Sequence, residues 1–144
     1  EGRGPGMKAI AMRSTTWVLL AAMALAMAAC ASATKNESLR VRLYNYAAAI
    51  RWNEIDQAAA YVDPAVLAEK PFTAEQRERW KQVQVSRYYE APQSTDGQGR
   101  VLQTVQIELI DRATQTVRTI VDRQRWRYDE TAKTWWLESG LPQL

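Results

Sequence analysis

Few side chains in this sequence could move a proton, and they are unevenly placed. Glu54, Asp56 and Asp63 fall close together in a helical stretch, and Tyr44, Tyr46, Tyr61, Tyr88 and Tyr89 supply phenols. A carboxylate base working beside a phenol donor can shift a proton from a carbon next to a carbonyl. The plainer reading is that Glu54 and Asp56 favour a helix N-terminus and that Asp63 closes a turn. The plainer reading is preferred, so no catalytic residue is assigned. The chain has no histidine, which removes the commonest general base, the commonest neutral metal ligand and every imidazole-dependent triad. It has no glycine-rich phosphate loop and no cysteine–histidine cluster, so no metal and no cofactor is implied.

The one cysteine, Cys30, has a more definite context. Lys8 and Arg13 form a basic start, and residues 15–29 are uncharged and mostly apolar. That run is shorter than the roughly 20 residues a spanning helix needs, and it fits the apolar part of a signal peptide. Leu25-Ala26-Met27-Ala28-Ala29-Cys30 resembles the lipobox of bacterial lipoproteins, in which small residues admit the peptidase just before a lipid-modified cysteine. Met27 stands where leucine is more usual. The resemblance implies cleavage before Cys30 and membrane attachment by lipid on that residue. Each buried methylene of such a lipid contributes about 0.8 kcal/mol, so two chains anchor stably. Ala31, rather than aspartate, follows the cysteine, which favours the outer membrane facing the periplasm over the inner membrane. Residues 1–6 read as an upstream extension or tag remnant, 7–29 as the signal peptide, 30–37 as the modified cysteine and a tether, and 38–144 as one domain.

Composition suits that domain. Hydrophobic residues make up 47% and charged residues 24%, near globular averages. Setting aside Glu1, Arg3, Lys8 and Arg13, the 19 basic and 16 acidic residues reduce to a net charge near +1, no footprint for nucleic acid. Trp52, Trp80, Trp126, Trp135 and Trp136 are many for this length. They could fill a core, line a site for an apolar ligand or meet a partner protein. Trp135 and Trp136 are adjacent on a predicted strand and must point to opposite faces. These two and Trp126 are the candidate contact residues. Arg118, Arg123, Arg125 and Arg127 are read as a solvated sheet face paired with Glu108, Asp122, Asp129 and Glu130.

The elements that must position these groups follow from periodicity. Thr34 and Glu37 have capping-box spacing, and Leu39, Leu43, Tyr46, Ala47 and Ile50 share one helical face. The phase breaks at Arg51–Asn53, where Asn53 is expected to cap a second helix carrying Ile55, Ala58, Ala59 and Val62. Thr73 and Gln76 open a third helix through Trp80. Alternation then predicts strands at 82–90, from Val101 through Leu109, at 116–123 with Val117 and Val121 on one face, and at 134–138. Helices first and an antiparallel meander afterwards make an α+β fold with about four to five strands.

The broken helix YAAAIRWNEIDQAAAYVDP and the closing RQRWRYDETAKTWWLESGLP resemble the nuclear transport factor 2-like fold of ketosteroid isomerases and polyketide cyclases. That resemblance covers roughly residues 38–142. It implies helices packed on a curved sheet, often with a pocket at the wide end, and domains that frequently dimerise through the sheet. The function expected is a lipid-anchored, non-catalytic binding or scaffolding module, with another envelope protein as its partner. The alternatives are a binder of small apolar ligands in the cone and an isomerase- or cyclase-like enzyme with a carboxylate base.

Overall fold

A computed structural model describes residues 7–144, the side chains of 7–17 and 24–29 excepted. The expected extension at 1–6 lies outside the described residues. Contacts divide the chain into two compact units, the first ending at Glu37 and the second running from Ser38 to Leu144. No helix among the described residues is long and apolar enough to cross a membrane.

Helix α1 spans Met7–Arg51. Residues 30–37, read from composition as a tether, are therefore helical, and the expected helix start at Thr34 is a mid-helix position. The Thr34 hydroxyl donates to the Cys30 carbonyl at 3.0 Å, the back-bond of a threonine inside a helix. The segment holds alanine, lysine and glutamate without glycine or proline, so nothing in it interrupts a helix.

In the second unit the α1 residues Leu39, Leu43, Tyr46, Ala47 and Ile50 are all buried, as their spacing requires. The break after Arg51 comes from Asn53, which sits in the left-handed region at φ 59°. The Asn53 amide donates to the Ile50 carbonyl and the Glu54 amide to the Ala49 carbonyl, a Schellman closure with asparagine in the place usually taken by glycine. Asn53 thus ends α1 instead of capping α2 (Ile55–Ala59), whose N-cap is Glu54. Helix α2 stops at Ala59. Val62 instead forms a parallel bridge to Leu137, and Asp63 caps a further helix that the periodicity missed, α3 (Pro64–Glu69).

Helix α4 (Ala74–Lys81) opens with the expected capping box. The Gln76 amide donates to the Thr73 hydroxyl at 3.2 Å and the Thr73 amide to the Gln76 side chain at 2.8 Å. Thr73→Ala should cost about 1 kcal/mol, read as a shift in the urea midpoint with an unchanged m-value.

Five antiparallel strands follow: β1 (Val83–Glu90), β2 (Ser94–Thr95), β3 (Val101–Asp111), β4 (Val117–Asp129) and β5 (Thr134–Leu137). The order is β1-β3-β4-β5, with the two-residue β2 paired to β3. The result is an α+β domain with a curled antiparallel sheet. A bulge between Val85 and Arg87 shifts the β1 register. The β3–β4 ladder is unbroken from Val101↔Trp126 to Ile110↔Val117. Val117 and Val121 share one face, as their spacing requires, and that continuity makes it the outer one. Because side chains alternate without interruption, burying Trp126 forces Asp122 and Gln124 inward and turns Val117 and Val121 outward, where they are 59% and 51% exposed.

Candidate functional site

The inner face of the sheet carries an unusual row of polar groups. Gln103 on β3 lies opposite Gln124 on β4, and Val105 lies opposite Asp122. All four are buried, as are Tyr46 of α1 and Tyr88 of β1. The Gln124 amide nitrogen donates to the Asp122 carboxylate and to the Tyr88 phenol oxygen, both at 2.9 Å. The Gln124 carbonyl accepts from the Trp126 indole at 3.1 Å. The Gln103 amide donates weakly to the Ala91 carbonyl at 3.5 Å. Two atoms in this row are buried with no partner: the Tyr46 hydroxyl and the Gln103 carbonyl oxygen. A buried polar atom left unpaired costs about 1–3 kcal/mol, so two beside one carboxylate require a reason.

The electrostatics follow from the burial. Loss of solvent raises the Asp122 carboxyl to about 6, although the Gln124 bond opposes the shift. Burial, then the charges of Asp122 and Tyr88, hold the Tyr46 phenol well above its ordinary value. Tyr88 is raised as well, mainly by burial, with the Gln124 bond and the Arg51 guanidinium opposing. Arg51 stands 4.9 Å from the Tyr88 ring centre. The cluster thus offers a carboxyl able to exchange a proton near neutrality and two phenols that remain donors.

Tyr46 also packs edge-on against Trp126, 5.3 Å between ring centres, and against Tyr61 at 6.0 Å. Both Tyr46 and Trp126 are fully buried, so aromatic side chains fill the space behind the cluster. Surface clefts of about 290, 400 and 390 Å³ lie elsewhere, and neither Asp122 nor Gln124 lines any of them.

The residues singled out from sequence are placed otherwise. Trp126 and Trp135 belong to the core and present no surface to a protein partner. Trp135 packs on Tyr128 at 5.3 Å. Trp136 is half-buried, with the Arg42 guanidinium 5.2 Å from its ring centre. Glu54 and Asp56 line the cleft of about 400 Å³, but Asp63 lies outside it, so the three carboxylates do not form one catalytic group. Glu54 is exposed, and Asp56 forms an exposed ion pair with Arg77 at 2.6 Å. Asp63 accepts from the Ala65 amide at 2.9 Å and from Arg127 at 2.7 Å. Burial alone would raise its carboxyl, but those two donors outweigh it and hold it below its ordinary value.

Of the arginines read as a paired face, Arg125 and Arg127 form ion pairs, mostly with other partners than expected. Glu138 receives Arg125 at 2.9 Å, Arg127 at 3.3 Å and Arg100 at 3.5 Å. Of the carboxylates expected there, Asp129 meets Arg127 at 3.8 Å, and Asp122 lies on the inner face. Sequence reasoning missed Gln103, Asp122 and Gln124 as a group. The legible signal was the alternating Asp122-x-Gln124-x-Trp126, which puts two polar side chains on the face of a tryptophan.

Among the described residues no group of three carboxylates or thiols could hold a metal ion. Comparison with known protein families, curated proteins and solved structures gives no match.

Proposed function

We infer that this chain is a lipid-anchored lipoprotein of the bacterial envelope whose domain is a non-catalytic binding module. The domain is read as nuclear transport factor 2-like, and its site as the inner polar row of Tyr46, Tyr88, Gln103, Asp122 and Gln124. The observation that carries the binding reading is the pair of buried, unpartnered atoms, the Tyr46 hydroxyl and the Gln103 carbonyl. A ligand supplying one donor and one acceptor would satisfy both, and it would enter by displacing the Trp126 and Tyr61 rings that pack on Tyr46. The anchor reading rests on the lipobox-like run ending at Cys30, whose side chain is exposed. Lipid there would hold the domain at the outer membrane and confine its encounters to that surface. A protein partner remains compatible with the half-buried Trp136 but has less support than a small ligand.

The test is extraction of the full chain from membranes in mild detergent, followed by mass spectrometry of what it carries. A small molecule with a polar handle is expected with the wild type, and Tyr46→Phe with Gln103→Leu should lose it. If no small molecule accompanies the wild type, and a protein does, the inner row is a packing feature and the scaffold reading replaces this one. In the same cells Cys30→Ser should abolish labelling by radioactive palmitate and release the protein from the membrane fraction. Retention of both would remove the anchor.

Asp122 favours one second reading, an enzyme using a carboxylate base, because its carboxyl is raised to about 6 beside two phenols. Such an enzyme would show kcat/KM rising through an apparent pKa near 6 with the turnover lost in Asp122→Asn.

A further inference from the structure

The long strand β4 has one partner along most of its length and another along only a short part of it. It pairs with β3 from Val117 to Trp126, but with β5 only from Trp126 to Asp129. Among the described residues no strand of the sheet pairs with the second edge of 117–123. Which backbone groups point that way is fixed by Arg125. Its amide donates to the Ser139 hydroxyl at 3.2 Å and its carbonyl accepts from the Glu138 amide at 2.8 Å, both away from β3. In an unbroken antiparallel ladder that direction alternates, so Val117, Thr119, Val121 and Arg123 also aim their amides and carbonyls at the open edge. The segment VRTIVDR has no proline, glycine or bulge to blunt it, and Val117 and Val121 are exposed. An open edge of this kind is a template for another strand.

We propose that β4 pairs edge to edge with β4 of a second copy of this chain, antiparallel about Ile120, joining two sheets into one. The occupant is a second copy because the segment complements itself in this register. Ile120 meets its own counterpart, Thr119 meets Val121, and Arg118 faces Asp122 on the inner side. Asp122 accepts a hydrogen bond from the neutral Gln124 amide, and Arg118 is exposed. The two Arg118–Asp122 pairs supply opposite charges across the strands at both ends. Isologous pairing of this kind closes after two copies. The proposal does not depend on the lipid anchor or on a ligand in the inner row.

Sedimentation of the detergent-extracted full chain, corrected for bound detergent, is expected to give twice the mass of one chain. Val121→Pro removes an edge amide that β3 does not use, so the fold should persist, checked by circular dichroism, while the mass falls to one chain. As an independent readout, Ile120→Cys should form a disulfide-linked dimer on mild oxidation, since non-hydrogen-bonded pairs bring Cα atoms to about 4.5 Å. Thr104→Cys, on the outer face of β3, should not exceed the wild type. A monomeric wild type overturns the proposal. So does a dimer that Val121→Pro leaves intact and Ile120→Cys does not cross-link.

Discussion

Replacing Asn53 with alanine is expected to destabilise the domain by about 4 kcal/mol, enough to lower Tm by more than about 10 °C. The Asn53 side chain donates to the Val83 carbonyl at 2.9 Å and to the Trp80 carbonyl at 3.3 Å, and accepts from the Val85 amide at 3.0 Å. It therefore ties the end of α1 to the end of α4 and the start of β1, standing where a neighbouring strand would satisfy the outer edge of β1. Three such bonds contribute about 1 kcal/mol each, and alanine in the left-handed region adds about 1 kcal/mol of strain. Asn53→Gly separates the two contributions, because glycine adopts φ 59° freely but cannot make the bonds. Glycine should recover about 1 kcal/mol of the loss and no more. Equal stability of the glycine variant and the wild type, by urea unfolding followed through tryptophan fluorescence, would show that the side-chain bonds contribute nothing.

Asp122→Asn should have the opposite sign, and its size should depend on pH. The carboxyl of Asp122 ionises at about 6 when folded, against 3.8 for an unperturbed aspartate, because burial disfavours the charge. The folded state therefore holds a proton that the unfolded state has released between those values, and wild-type stability falls as pH rises through this window. Above the folded value the cost is complete, about 3 kcal/mol at 1.36 kcal/mol per unit. Asparagine keeps an oxygen for the Gln124 amide and never ionises. The variant should be more stable than the wild type by up to about 3 kcal/mol at pH 8 and by little below pH 4. The measurement is best made in the Val121→Pro background, where no Arg118 from a second copy can neutralise the carboxylate. A gain that is constant from pH 4 to pH 8 would mean that Asp122 does not carry its charge inside the fold.

Much of the architecture can be read from local pattern. The inner face of α1 from Leu39 to Ile50, the capping box at Thr73 and the alternating burial of β3 all emerged at the positions their periodicity indicates. These signals are local, since a stripe repeating every three to four residues or every two has one apolar face whatever surrounds it. The same independence put the break in α1 at Arg51–Asn53, where the apolar spacing loses phase.

The inner polar row was legible only in part, since parity puts Asp122 and Gln124 on the face of Trp126 but long-range pairing decides that this face is the inner one. Val117 and Val121 make a better apolar face by themselves than Asp122 and Gln124 do. Only the unbroken β3–β4 register, with Trp126 buried opposite Val101, decides that the carboxylate and the amide go inside. Asn53 was misread for a related cause. Its type suits either end of a helix, and the choice was made by carbonyls and an amide roughly thirty residues further along the chain. The sequence by itself determined the fold class, the helix break and the lipobox-like run before Cys30, because each depends on neighbours within a turn or two of chain. The tertiary structure alone decided which face of β4 is core, which polar groups meet there and which strand edge is left open, because strand parity and pairing are properties of the assembled sheet.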